Sequence, residues 1–140
     1  IEEIGTDRER LDSWSQADAD AFNAKVRELG FDRPNALKNE GYYSPPLDGI
    51  WMRAPFLHNG SVPSLRELLN PPAERGVTFH RGDDLYDPEN VGFFSRASPD
   101  EPGAFLLDTR ERGNGKGGHS YGTGLSEPEK AALIEYLKSL

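Results

Sequence analysis

Apolar residues recur at helical spacing in three stretches of the chain, each opened by a residue suited to capping it. Ala21, Phe22, Val26 and Leu29 mark one face of an amphipathic helix from about Asp18 to Leu29, and Gly30 supplies its stop. Upstream, Thr6-Asp7-Arg8-Glu9 and Ser15-Gln16-Ala17-Asp18 both have the order of a capping box, a hydroxyl followed three positions later by an acid. Ser64-Leu65-Arg66-Glu67-Leu68-Leu69 repeats that order, so a short helix starts at about Ser64 and Asn70-Pro71-Pro72 ends it. The third run is the clearest: Ser126 caps, Glu129 closes the box, and Ala132, Leu133, Ile134, Leu137 and Leu140 form an apolar stripe to the terminus.

Between these helices the pattern breaks down. Residues 31–63 read as loop, punctuated by Pro34, Gly41, Pro45-Pro46 and Gly49, and residues 70–124 are more irregular still. Two apolar islands, Val77–Phe79 and Ala104–Leu107, leave room for one short two-stranded β ribbon. The expected fold is therefore mainly α with long irregular loops. No internal repeat or low-complexity linker divides the chain, so residues 1–140 form a single domain or part of one.

The segment from Leu47 to Leu65 is dense in turn formers, apolar residues and one imidazole. Pro55 removes a backbone donor and restrains Ala54 to extended conformations, while Asn59-Gly60 favours a turn with positive φ. Residues 53–60 should form a sequence-specified loop that orders only if Trp51, Phe56 and Leu57 find apolar partners. His58, set between Pro55 and that turn, is then partly buried, which makes a cofactor neighbourhood plausible.

Composition narrows the function. With 35% hydrophobic residues, 15 Gly and 11 Pro, the chain has fewer core-forming residues than its length usually carries, so a thin core is expected. A formal net charge of −8 argues against nucleic acid, whose phosphates demand clustered Lys and Arg; the basic run from Arg110 to Gly118 is short and mixed in sign. No stretch approaches the ~20 consecutive apolar residues of a membrane span. The acidic pairs Glu2-Glu3 and Asp83-Asp84 lie in polar surroundings and read as solvated. Ser64 is claimed by helix capping, which leaves no credible nucleophile beside His58. Gly113 to Gly118 lacks the Gly-Lys-Ser/Thr order of a phosphate loop. The three histidines show no zinc-ligand spacing, and His80, among charged neighbours, reads as a solvated loop residue.

Two blocks carry a resemblance. Pro46-Leu47-Asp48-Gly49-Ile50-Trp51 with Ala54-Pro55-Phe56-Leu57-His58-Asn59-Gly60-Ser61-Val62-Pro63-Ser64-Leu65, and Gly118-His119-Ser120-Tyr121-Gly122-Thr123 with the terminal helix, resemble the C-terminal haem domain of the di-haem cytochrome c peroxidase superfamily, in its rubber-oxygenase-like branch. The resemblance covers roughly residues 40 to 140 and implies a portion of a cytochrome c-like domain with haem c as cofactor. One departure is severe: the group tethers haem through Cys-x-x-Cys-His, and this chain has no cysteine. The resemblance thus implies a haem-bearing segment or chain N-terminal to Ile1, and an initial Ile suits a processed, truncated or nicked product.

It further implies that His119 is the metal ligand, closing a bis-His, six-coordinate, low-spin site suited to electron transfer, with the preceding glycines as a flexible lead-in to a flat cofactor edge. His58 would stand near the haem edge, and Arg53 would pair with a propionate. Trp51 and Tyr121, with Tyr42 and Tyr43, would line the haem or an electron path. Residue by residue, blander readings stay open: a loop histidine for His119, a backbone-bonded histidine for His58, a surface ion pair for Arg53, and core packing for the aromatics. The resemblance implies a periplasmic or secreted peroxidase- or oxygenase-like oxidoreductase with a redox partner protein, of which this chain alone is not the catalytic part. The alternative is a cofactor-free binding or structural module derived from the same fold.

Overall fold

In the computed structural model, which describes residues 4–32, 35–82, 85–95 and 103–140, local capping builds the helices and proline ends them. Among the described residues four α-helices occur, α1 (Glu9–Asp12), α2 (Gln16–Glu28), α3 (Leu65–Leu68) and α4 (Glu127–Leu137), with single 3₁₀ turns at Ile50–Met52 and Pro72–Glu74. Four strands among the same residues, β1 (Thr78–Arg81), β2 (Tyr86–Asp87), β3 (Gly92–Phe93) and β4 (Phe105–Asp108), form two antiparallel ribbons, β1 with β4 and β2 with β3. Helix takes up 30% of the described structure and strand 12%, so the expectation of a mainly α chain is overturned: the protein is a small mixed structure. The physical reason is the density of Pro and Gly through the middle of the chain, which stops every helical run there within a turn. The apolar islands satisfy their backbone groups by pairing instead, with Phe79 opposite Leu107, both buried. Glu2-Glu3, Asp83-Asp84, Pro34, Pro99 and Pro102 lie outside the described residues.

The caps form unequally. Ser15 Oγ accepts from the Asp18 N–H at 3.1 Å and the Ser15 N–H donates to Asp18 Oδ2 at 2.9 Å, a complete box. At α4 the Ser126 N–H and Oγ–H donate to Glu129 Oε2 at 2.8 and 2.6 Å. Ser64 Oγ accepts from the Glu67 N–H at 3.1 Å, but Glu67 does not reach back, because its Oε1 accepts from the Gly76 N–H. The box expected at Thr6 is not formed: Asp7 Oδ1 takes the Glu9 N–H at 2.8 Å, and Thr6 Oγ1 is buried without a partner among the described residues.

The centre is an apolar cluster. Phe56, Val62, Leu65, Leu68, Leu69, Val91 and Ile134 form it, with Ile50, Ala54, Leu57, Tyr86, Leu133 and Leu137 packed around them. Phe56 and Leu57 thus find the partners their loop requires, whereas Trp51 stays 37% exposed with its carbonyl accepting from the Tyr86 hydroxyl at 2.5 Å. The α4 stripe is narrower than expected, since Ala132 and Leu140 face solvent. Helix α2 turns its expected apolar face outward: Phe22 is 52% and Leu29 61% exposed. It buries Ala19 and Asn23 instead, and the Asn23 amide donates to the Ala36 carbonyl at 2.8 Å and accepts its N–H at 2.6 Å.

Candidate functional site

The site is built from three loops that hold one another by backbone carbonyls. Reciprocal bonds between Phe56 and Val62, at 2.6 and 3.3 Å, close the loop that carries His58 and Asn59, with Gly60 at φ 68° in its turn. From that loop the Asn59 amide donates to the carbonyls of Gly113 and Gly115 at 3.0 and 2.9 Å, and Ser61 Oγ donates to Gly115 at 3.0 Å. On the opposite side, Asp7 Oδ2 accepts the Gly115 N–H at 3.1 Å. The glycines before His119 are therefore a pinned strip and not a slack tether. A Cβ at Gly118 would lie 2.4 Å from the Gly5 carbonyl carbon and the Thr6 nitrogen, so glycine is what allows the 113–119 and 4–7 backbones to touch.

Beneath that strip lies a residue the sequence reading passed over. Arg75 is 2% exposed and directs every guanidinium N–H at a main-chain carbonyl. Nε donates to Asn70 at 3.1 Å, Nη1 to Lys116 and Gly118 at 2.8 Å each, and Nη2 to Leu68 at 3.1 Å and His119 at 2.9 Å. Lys116 Nζ returns a bond to the Arg75 carbonyl. The only signal available in sequence was a lone Arg between the Pro71-Pro72 stop and an apolar island, which resembles any surface arginine.

His119 sits at the end of this strip with φ 51°, a left-handed conformation uncommon outside glycine. Its N–H donates to the Ile4 carbonyl at 2.8 Å and its carbonyl is held by Arg75, so the backbone is fixed on both sides. The imidazole is half-buried and meets Tyr121 edge to face at 5.3 Å; neither ring nitrogen is hydrogen-bonded among the described residues. Burial, and then the nearby Arg75 charge, hold it below its ordinary 6.5, so it is neutral at pH 7.

His58 lies in a different environment. Its ring stacks on Tyr42 at 4.3 Å and 18°, and its Nε2 is buried without a partner among the described residues. Tyr42 is itself fixed, its hydroxyl accepting the Leu11 N–H at 3.0 Å and donating to the Asp7 carbonyl at 3.3 Å. Burial lowers the His58 pKa, with Arg10 adding to the effect and Asp7 opposing it. Arg53 is exposed and donates to the carbonyls of Pro46 and Asp48 at 2.9 and 2.7 Å. Tyr121 is 59% exposed. The structure thus brings His119 and Tyr121 together, sets His58 with Tyr42, and leaves Trp51 and Arg53 at the 50–53 turn, without gathering all five around one cavity.

Known proteins similar to this chain cover the segment that holds part of this site. Two curated proteins of Sinorhizobium fredii (strain NBRC 101917 / NGR234) are similar. The uncharacterized protein y4iJ is 44% identical over 139 residues, covering 91% of this chain and 23% of its own length. The uncharacterized protein y4iM is 36% identical over 119 residues, covering 71% of this chain and 27% of its own. The chain therefore spans about a quarter of the length of these relatives. Residues 41–80, which carry Tyr42, Trp51, Arg53, His58 and Arg75, match the family model described as RoxA-like, cytochrome c-like, and in this portion the chain is similar to that family.

Proposed function

We propose that this chain is the cysteine-free portion of a c-type haem oxidoreductase, contributing His119 as an axial imidazole and the 50–62 segment as pocket wall to a haem attached outside these 140 residues. The observation that carries the reading is His119: a half-buried, neutral imidazole, with neither nitrogen hydrogen-bonded among the described residues, on a left-handed backbone held at both its N–H and its carbonyl. A metal ligand needs a lone pair left clear and within reach, and the half-buried His119 has one, whereas the unpartnered Nε2 of His58 is wholly buried. The match of residues 41–80 to a cytochrome c-like family supports the haem-binding part of the reading.

The residues fit a contributing role and not a holding one. The chain has no cysteine for thioether attachment, and no cluster of three or more His, Cys, Asp or Glu is gathered for an ion among the described residues. When bound, the haem supplies electron transfer. The chain's own part is to present one neutral nitrogen, to fix its backbone through the pinned 113–119 strip, and to supply pocket wall from the ordered loop around His58. Wider membership in the di-haem peroxidase superfamily, its redox partner and a periplasmic or extracellular location belong to this proposal; the structure itself has no described helix long and apolar enough to cross a membrane.

One observation favours a second reading, a cofactor-free binding or structural module: the core is filled by ordinary side chains from Phe56 to Ile134. Absorbance of the purified protein, produced together with the segment that would carry the haem attachment, separates the two. A low-spin Soret and visible signature that becomes high-spin in His119→Ala, and survives in His58→Ala, is the expected result. A cooperatively folded protein without a Soret band overturns the proposal in favour of the module.

A further inference from the structure

A buried arginine with no carboxylate bonded to it is unusual, because taking a guanidinium out of water is costly unless every N–H is satisfied. Arg75 meets that condition entirely with carbonyls, and they fall into two groups. Leu68 ends α3, whose Leu65 and Leu68 are embedded in the core, and Asn70 follows just after its cap. Lys116, Gly118 and His119 belong to the strip that ends in the candidate ligand. One planar fork therefore joins the core-embedded end of α3 to the backbone of His119. A lysine has three donors on a single nitrogen and cannot reach both groups with the same geometry.

We infer that Arg75 is the positioning residue for His119, its five-carbonyl fork locking the 116–119 backbone to the end of α3 and so setting the direction in which the imidazole faces its metal. The inference rests on the reading of His119 as a ligand. Groups that orient a ligand from behind typically govern about 10- to 100-fold in metal affinity, and a loss of that size is expected in the ratio of His-ligated to unligated haem when the fork is removed.

The test uses the haem-loaded protein with Arg75→Met, Arg75→Lys and His119→Ala, read by low-spin absorbance, thermal melting and titration with free imidazole. The expected result is that Arg75→Met melts cooperatively and retains its haem but loses low-spin signal, that free imidazole restores it, and that Arg75→Lys retains it in part. A folded Arg75→Met with an unchanged low-spin spectrum overturns the inference and leaves the ligand reading standing. An unchanged spectrum in His119→Ala overturns the ligand reading and the inference with it. Should Arg75→Met not fold, Arg75→Lys decides: a spectrum like that of the unsubstituted protein overturns the fork, and an imidazole-rescued loss supports it.

Discussion

Replacing Gly118 with alanine tests whether the His119 strip is held by close backbone contact. Two separate costs arise. Gly118 has φ 75°, and an L-residue in that region loses roughly 1–2 kcal/mol. The new Cβ would also stand 2.4 Å from the Gly5 carbonyl carbon and the Thr6 nitrogen and 2.5 Å from the Ile4 carbonyl oxygen, all main-chain atoms. Ordinary contact begins at 3.4 Å, so the 4–6 segment must retreat by about 1 Å, an overpacking that typically costs ~1–3 kcal/mol. That retreat also stretches the 2.8 Å bond from the His119 N–H to the Ile4 carbonyl. The total is about 3 kcal/mol or more, a large share of the ~5–15 kcal/mol that stabilises a domain. Gly30→Ala supplies the control, because Gly30 has φ 78° but nothing within 4 Å of its Cβ, and only the backbone cost of ~1–2 kcal/mol applies. Urea unfolding followed by the fluorescence of Trp14 and Trp51 should show a much lower midpoint for Gly118→Ala than for Gly30→Ala, with the slope unchanged. Equal midpoints for the two variants would refute the close approach of the strip to residues 4–6.

Asn59→Ala removes the amide that bridges Gly113 and Gly115, so it should cost about 1–3 kcal/mol and raise hydrogen exchange across 113–118; unchanged exchange would show that the bridge does not hold the strip. Leu68→Ala opens the core and should cost ~2–5 kcal/mol, whereas Phe22→Ala, on the outward face of α2, should change stability by only about 0.5–1 kcal/mol; similar losses by urea unfolding would mean that α2 buries its apolar face after all. Burial holds His58 below its ordinary 6.5, so below that pH the unfolded chain binds more protons than the native one. Stability should be full above pH 6.5 and fall as the pH drops through that value. His58→Gln should flatten the decline in urea midpoints between pH 8 and 5, and an unaltered profile would show that His58 is not buried in the neutral form.

What the sequence determined by itself is what depends on neighbours a few positions away. Ser15, Ser64 and Ser126 cap their helices because the groups they bond lie three residues on, and Asn59-Gly60 turns because of its own backbone preference. The loop at 53–60 was readable for the same reason, since Pro55 and Asn59-Gly60 shape it locally. The tertiary structure decided everything that required choosing among distant partners. Thr6 was expected to cap α1, but the Glu9 and Gly115 N–H groups both converged on Asp7 instead. Glu67 left its box for Gly76, and α2 gave up its apolar stripe for an asparagine bonded to Ala36. Arg75 is the extreme case, since three of its five carbonyls lie 41 to 44 positions away, and a buried guanidinium is tolerable only when all of them arrive together. Periodicity records which side chains are apolar; it does not record which main-chain carbonyls are left without a partner once the chain has packed, and it is those carbonyls that set the position of His119.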